Sequence, residues 1–398
     1  MNSEIPKVFF VCPGIGHIHR GYETFTRQCF DALSSKTQIR ARLFKGAGAN
    51  DQLETAIPIL RRTRLIARLA GRAVLRNGYD IEQFSFAIGL IPFLRREQPD
   101  IVFFSDRELG LLLWQWRKRS SAKFKLLFSN GSPAPPPFDR WDHVHQVSPE
   151  HYQTALSAGV KPEMQSLIPY GYEVPKPDAI LTPEEKRVLR AQLGLPANRI
   201  IALSVGAIST AHKRMDYVVR EISSVPSPRP FLLLMGQSAG SDTQKILALA
   251  DTLLGQDGYR FMSVPPEKIG DYYKVADLFV LASLKEGFGR VLLEAMSFGL
   301  PCIAHDHATA GYILGKDGYL ADLREKGTLA ASIHQILKNK EDLGIRIARN
   351  REIENRFSWN SLSPYYLDML CRVASGKGTN PNSLYSEERV GLTSSVAN

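Results

Sequence analysis

The chain has 398 residues, 44% of them apolar and 23% charged, with 50 Lys and Arg against 40 Asp and Glu for a net charge of +10. That length holds two ordinary domains, and that composition excludes a fibrous or wholly disordered chain. Apolar runs such as 109–114 fall far short of the ~20 residues that cross a bilayer. Residues 1–7 lack a basic start followed by an apolar core, and Cys12, Cys29, Cys302 and Cys371 lack the spacing of a disulfide framework or zinc site. A cytoplasmic protein with reduced thiols is the expectation.

Strand-like and helix-like runs alternate from Val8 onward: strands at 7–12, 39–44 and 100–105, helices at about 22–34 and 108–119, strands at 124–129 and 143–147, and a helix at 149–158. Such alternation predicts a doubly wound parallel sheet. The loop after the first strand contains Gly14-Ile15-Gly16 and hints at a dinucleotide fingerprint. The third glycine would fall at His19, however, and no acid follows the second strand, so NAD gets little support. Residues 1–180 carry 24 Lys and Arg against 17 Asp and Glu, and no acid occurs between 55 and 79. There Arg61, Arg64, Arg68, Arg72 and Arg76 recur at helical spacing beside Leu65, Ile66, Leu69, Ala73 and Val74. This reads as an amphipathic helix whose arginine face is either plainly solvated or docks on anionic lipid headgroups or an acidic acceptor. No nucleic-acid module is recognisable, so nucleic acid is not an expected partner. Asp106, just after the strand at 100–105, is a candidate site residue, although an Asp there is as often a helix cap.

The pattern pauses at Ile168-Pro169-Tyr170-Gly171-Tyr172 and a proline-rich stretch to Pro183, which reads as a hinge, then restarts with strands at 200–205, 230–235, 259–263, 278–282 and 302–305. Residues 277–301 are the most informative. An apolar run from Leu278 to Ala282 predicts a buried strand, Glu286-Gly287-Phe288-Gly289 a turn, and the segment from Arg290 a helix that carries Glu294 and is closed by Gly299 and Pro301. Two carboxylates thus flank one helix N-terminus. That end has backbone N–H groups without intrahelical partners and the positive end of the macrodipole, so it suits a phosphate while the carboxylates accept from hydroxyls. A sugar nucleotide has both kinds of group. The cluster His305-Asp306-His307 reads as the loop after a strand rather than a metal site, because no further ligand is spaced to join it.

At these residues the chain resembles glycosyltransferase family 4, whose donor signature is a Glu-x7-Glu pattern close to Glu286-Gly287-Phe288-Gly289 followed by Glu294-Ala295-Met296. The resemblance implies the GT-B fold: two Rossmann-like doubly wound α/β domains facing a central cleft, with residues 1–172 on the acceptor side and 173–355 binding the donor. It also implies a helix over 356–373 crossing back to the first domain, with Gly16 and Asp106 as acceptor-side candidates, while residues 374–398, rich in Ser, Asn and Gly with few aromatics, read as a disordered tail. Glu286 is expected on hydroxyls of the transferred sugar and Glu294 on the ribose, with main-chain amides of Phe288, Gly289, Arg290 and Val291 on sugar and diphosphate. In the run Gly206-Ala207-Ile208-Ser209-Thr210-Ala211-His212-Lys213, Lys213 matches the family's diphosphate lysine, but Ala207 replaces its arginine. Arg20 and Gly21 occupy the place of a Gly-Gly pair near the diphosphate, and Arg20 is expected to supply some of the missing charge. Asn130 stands where many members have a histidine close to the anomeric carbon, and can hydrogen-bond a hydroxyl but not take up a proton. The segment at Val264 falls where the main chain reads the base. The implied reaction is retaining transfer from a nucleoside-diphosphate sugar to a hydroxyl acceptor such as a saccharide or lipid-linked saccharide, without metal or other cofactor. The departures at Ala207 and Asn130 keep a second reading open, a catalytically silent GT-B subunit that binds nucleotide or a partner.

Overall fold

The computed structural model describes residues 5–18, 20–62, 77–339 and 341–377. They fall into two compact units, one formed by the chain up to Tyr172 together with that from Trp359, the other by Glu173–Ser358.

The first unit is built on strands β1 (Lys7–Cys12), β2 (Arg40–Lys45), β3 (Glu54–Ala56), β4 (Ile101–Phe104), β5 (Lys125–Asn130), β6 (His143–Gln146) and β7 (Gln165–Leu167). They pair in parallel in the order β3-β2-β1-β4-β5-β6-β7. Helices on both faces explain why Val8, Phe9, Phe10 and the whole run Ile101–Phe104 are apolar without alternation: each side chain is buried whichever face it takes. The helix Trp359–Ser375 closes this unit. Its Tyr366 hydroxyl donates to the Pro169 carbonyl at 3.0 Å, and Gly171 leaves room for the Trp359 ring, which a Cβ would meet at 2.5 Å.

The second unit repeats the plan with β8 (Ile201–Val205), β9 (Phe231–Met235), β10 (Tyr259–Met262), β11 (Leu278–Leu281), β12 (Cys302–His305) and β13 (Tyr319–Ala321), in the parallel order β10-β9-β8-β11-β12-β13. In both units the strand order reverses once, between β1 and β4 and between β8 and β11, and loops at the carboxyl ends of such neighbours diverge to leave a ligand crevice. Two strands distant in sequence therefore deliver their loops side by side.

Several elements escaped the sequence reading. The helix Gly78–Glu97 has Pro92 in its interior and apolar residues on most sides, so it shows no clean amphipathic period, yet an Asn77–Asp80 capping box starts it. Strands β3, β7 and β13 are three residues each, too short for a run to be recognised. Of the arginine stripe, Arg61 is described, whereas Arg64, Arg68, Arg72 and Arg76 lie outside the described residues. No described helix is long and apolar enough to cross a membrane.

One carboxylate ties the second unit together. Asp277 accepts from the Ile201 amide at 2.8 Å, from Lys186 at 3.0 Å and from Arg190 at 2.6 Å, joining β8, β11 and the helix Pro183–Gln192. Burial alone would push its carboxyl up, but the two cations hold it below the usual range. Asp277→Ala leaves two buried cations without their carboxylate. It is expected to cost about 3 kcal/mol in urea unfolding, and a loss below about 1 kcal/mol would show the triad to be no more than a surface pair.

Candidate active site

Strand β11 is fully buried and ends at Leu281, so the segment 282–289 emerges at the carboxyl edge of the second sheet. Phe288 is drawn back into the core at 3% exposure, edge-on to Phe357 with ring centroids 6.3 Å apart, which fixes the turn. Gly289 then takes φ 80° and caps the helix Arg290–Ser297, a conformation that a Cβ would strain. At the other end Gly299 adopts φ 73°, the Leu300 amide returns to the Ala295 carbonyl at 3.1 Å, and a Cβ on Gly299 would come within 2.7 Å of the Arg346 carbonyl.

Lys213 and Glu286 meet across the reversal point. The Lys213 ammonium donates to Glu286 Oε1 at 2.5 Å, with the two side chains 15% and 10% exposed. Gly206, directly after β8, makes this possible: a Cβ there would lie 3.0 Å from Cγ, Cδ and Cε of Lys213, so the lysine stem runs over bare backbone. The rest of the loop is braced by Thr210 donating to Asp242 at 2.9 Å and by Arg214 donating to the Leu323 carbonyl at 2.7 Å.

Glu294, one turn into the helix, is half-buried and accepts from the Tyr273 hydroxyl at 2.9 Å. Burial pushes its carboxyl above the ordinary range, while Arg290 and the tyrosine pull it down. Arg290 is buried, Val291 half-buried beside it, and Val264 half-buried in the segment after β10. His307 caps the helix Ala308–Leu314 by accepting from the Ala310 amide at 3.3 Å, and His305 accepts from the Leu323 amide at 3.2 Å. Both rings therefore have local work, and among the described residues no group of three or more acid, histidine or cysteine side chains is placed to hold a metal.

The other expected residues belong to the first unit. Asn130 is 1% exposed: its amide nitrogen donates to Gln146 at 2.9 Å and its oxygen accepts from the Ala134 amide at 2.9 Å, so the side chain braces its own loop. Asp106 caps the helix Arg107–Lys118 through the Glu108 and Leu109 amides, and Tyr79 donates to it. Burial pushes its carboxyl up from the usual range. Arg20 donates to Glu23 at 2.7 Å, and its guanidinium lies over the Tyr22 ring at 4.6 Å. Gly21 begins the helix Gly21–Ser34. Gly16 takes φ 92°, and a Cβ there would lie 2.4 Å from the Ala47 carbonyl, so backbone packing alone demands glycine. The structure thus joins Lys213 to Glu286 and sets Glu294 on the helix that follows, while it gives Asn130, Asp106 and Gly16 structural tasks. The contacts of Tyr273 with Glu294 and of Gly206 with Lys213 were not read from the sequence. A tyrosine in an apolar helix reads as core, and a glycine after a strand reads as a turn.

Residues 185–355 match the family model described as Glycosyl transferases group 1. D-inositol 3-phosphate glycosyltransferase of Acidothermus cellulolyticus is 28% identical over 218 residues, 51% of this chain and 47% of that protein. The chain thus matches about half the length of such curated relatives. Sucrose-phosphate synthase of Thermosynechococcus elongatus superposes with a TM-score of 0.73 at 20% identity, covering 94% of this chain and 100% of that one. HepE of Anabaena, solved in complex with UDP and glucose, gives 0.71 at 16% identity, covering 92% and 99%. The fold is GT-B, two parallel-sheet Rossmann-like α/β units. Within it, residues 185–355 are similar to the group 1 glycosyl transferases, and the turn from Glu286 to Gly289 lies inside that match.

The two glycines that bound this helix differ in a measurable way. Gly289→Ala meets no atom closer than 3.5 Å and should lose about 1–2 kcal/mol for the left-handed backbone alone. Gly299→Ala adds the collision with Arg346 and should lose about 1–3 kcal/mol more in urea unfolding. Equal losses would contradict this geometry.

Proposed function

We propose that the chain is a retaining glycosyltransferase that moves a sugar from a nucleoside-diphosphate sugar to a hydroxyl acceptor in glycoconjugate synthesis. The observation that carries this is the pairing of Lys213 with Glu286 beside the Gly289-capped helix N-terminus, all within one unit. Leaving-group stabilisation is the chief chemical demand, because negative charge grows on the diphosphate as the glycosidic bond breaks. Lys213 and the first-turn amides after Gly289 supply positive potential there. Glu286 accepts from hydroxyls of the sugar and orients its anomeric carbon, and Glu294 accepts from the ribose. The acceptor hydroxyl attacks on the face the diphosphate leaves, and its proton passes to the departing phosphate oxygen, so no enzyme nucleophile is needed. With these groups in place the reaction requires no metal. The base is read by main chain near Val264, and the saccharide or lipid-linked acceptor binds the first unit. The basic run from Arg61 to Arg76 favours docking of the protein on an anionic cytoplasmic membrane face.

Nucleotide release from UDP-, GDP- and ADP-sugars tests this reading. One donor is expected to turn over, Lys213→Ala to lower kcat by about 10²–10³, Glu286→Ala to abolish transfer, and a chelator to leave the rate unchanged. Tight nucleotide binding without release, whatever the acceptor, would identify a silent subunit instead.

A further inference from the structure

We propose that Tyr273 is a positioning residue for the donor, holding the Glu294 carboxylate in the orientation that accepts the ribose hydroxyls. This rests on the reading of Glu294 given above. Tyr273 lies on the helix Ile269–Val275 at 1% exposure. Its ring stacks on Phe298 with centroids 5.6 Å apart and an interplanar angle of 5°, and it leans on Phe279 at 5.9 Å. Phe298 ends the helix that carries Glu294, and Phe279 belongs to the strand that feeds the donor turn. The phenol is thus fixed against both elements that shape the site, and its hydroxyl reaches Glu294 Oε2 at 2.9 Å.

A half-buried glutamate has rotamer freedom and a raised affinity for a proton, and both oppose its use as an acceptor for a diol. One donated hydrogen bond answers both. It fixes the carboxylate plane, occupying Oε2 and orienting Oε1, and it favours the ionised form. The groups acting on the Glu294 charge are Arg290 on its own helix and Tyr273. Among the described residues, β11, β12, the helix Ala308–Leu314 and the helix Leu343–Phe357, which pack on the same helix, add none.

A tyrosine that merely filled the core would keep its whole contribution as phenylalanine, whereas a positioning residue would not. Tyr273→Phe is therefore assayed with UDP-glucose, GDP-glucose and ADP-glucose, alongside Glu294→Ala. The expected result is a donor KM raised about tenfold with kcat within about twofold, and an acid limb of kcat/KM moved to higher pH, because the carboxyl loses the bond that favoured its ionised form. Phe298→Leu, which keeps the hydroxyl but removes its stacking support, should raise the donor KM by a smaller factor and gives the reading if Tyr273→Phe does not fold. Wild-type KM and pH profile in Tyr273→Phe, with at most a lower Tm, would overturn the proposal while Glu294→Ala still raises KM. An unchanged donor KM in Glu294→Ala would overturn the ribose reading itself, and this proposal with it.

Discussion

Lys213 and Glu286 are 73 residues apart in sequence, and they pair because β8 and β11 are neighbours at the reversal of the second sheet. Every other feature of the candidate site is arranged around that meeting. Asp277 binds the start of β11 to the start of β8, Gly206 clears a path for the lysine stem, and Phe288 with Gly289 fixes the turn that carries the glutamate. A cation and a carboxylate at 10–15% exposure are more costly to leave unpaired than on an open surface, so each offsets the burial of the other. The pair therefore ties the loop after β8 to the turn after β11.

The strand, turn and helix around Glu286 were legible in sequence because their chemistry is local: glycines, two acids and a helix start lie within nine residues. Alternating strand and helix runs disclosed both doubly wound sheets for a similar reason, since fully buried parallel strands are continuous apolar runs. Lys213 carries no such local signal and was reached through family resemblance alone. Tyr273 was hidden by its double nature, because a ring stacked on Phe298 obeys the core pattern and its hydroxyl adds no period. Asn130 and Asp106 carry a less specific signal. A polar residue at the end of a buried strand is available to a ligand, but equally to its own loop or the next helix, and here Ala134, Gln146, Glu108 and Leu109 take it up.

The same competition bears on Arg20. Ala207 stands where the family pattern has an arginine, and Arg20 was expected from the sequence to supply some of that charge. In the first unit it is engaged by the buried carboxylate of Glu23 and the Tyr22 ring, so any service to a diphosphate has to be compatible with that pairing. Under the proposed reaction, Lys213 and the helix N-terminus carry the leaving-group charge.

The most direct test of the account is a crystal structure with UDP, GDP or ADP bound. It should show the diphosphate on the first-turn amides after Gly289, the ribose on Glu294, and the Lys213 ammonium withdrawn from Glu286 toward a phosphate oxygen. Nucleotide bound away from this turn, or with the Lys213–Glu286 pair undisturbed and Glu294 facing no hydroxyl, would contradict it.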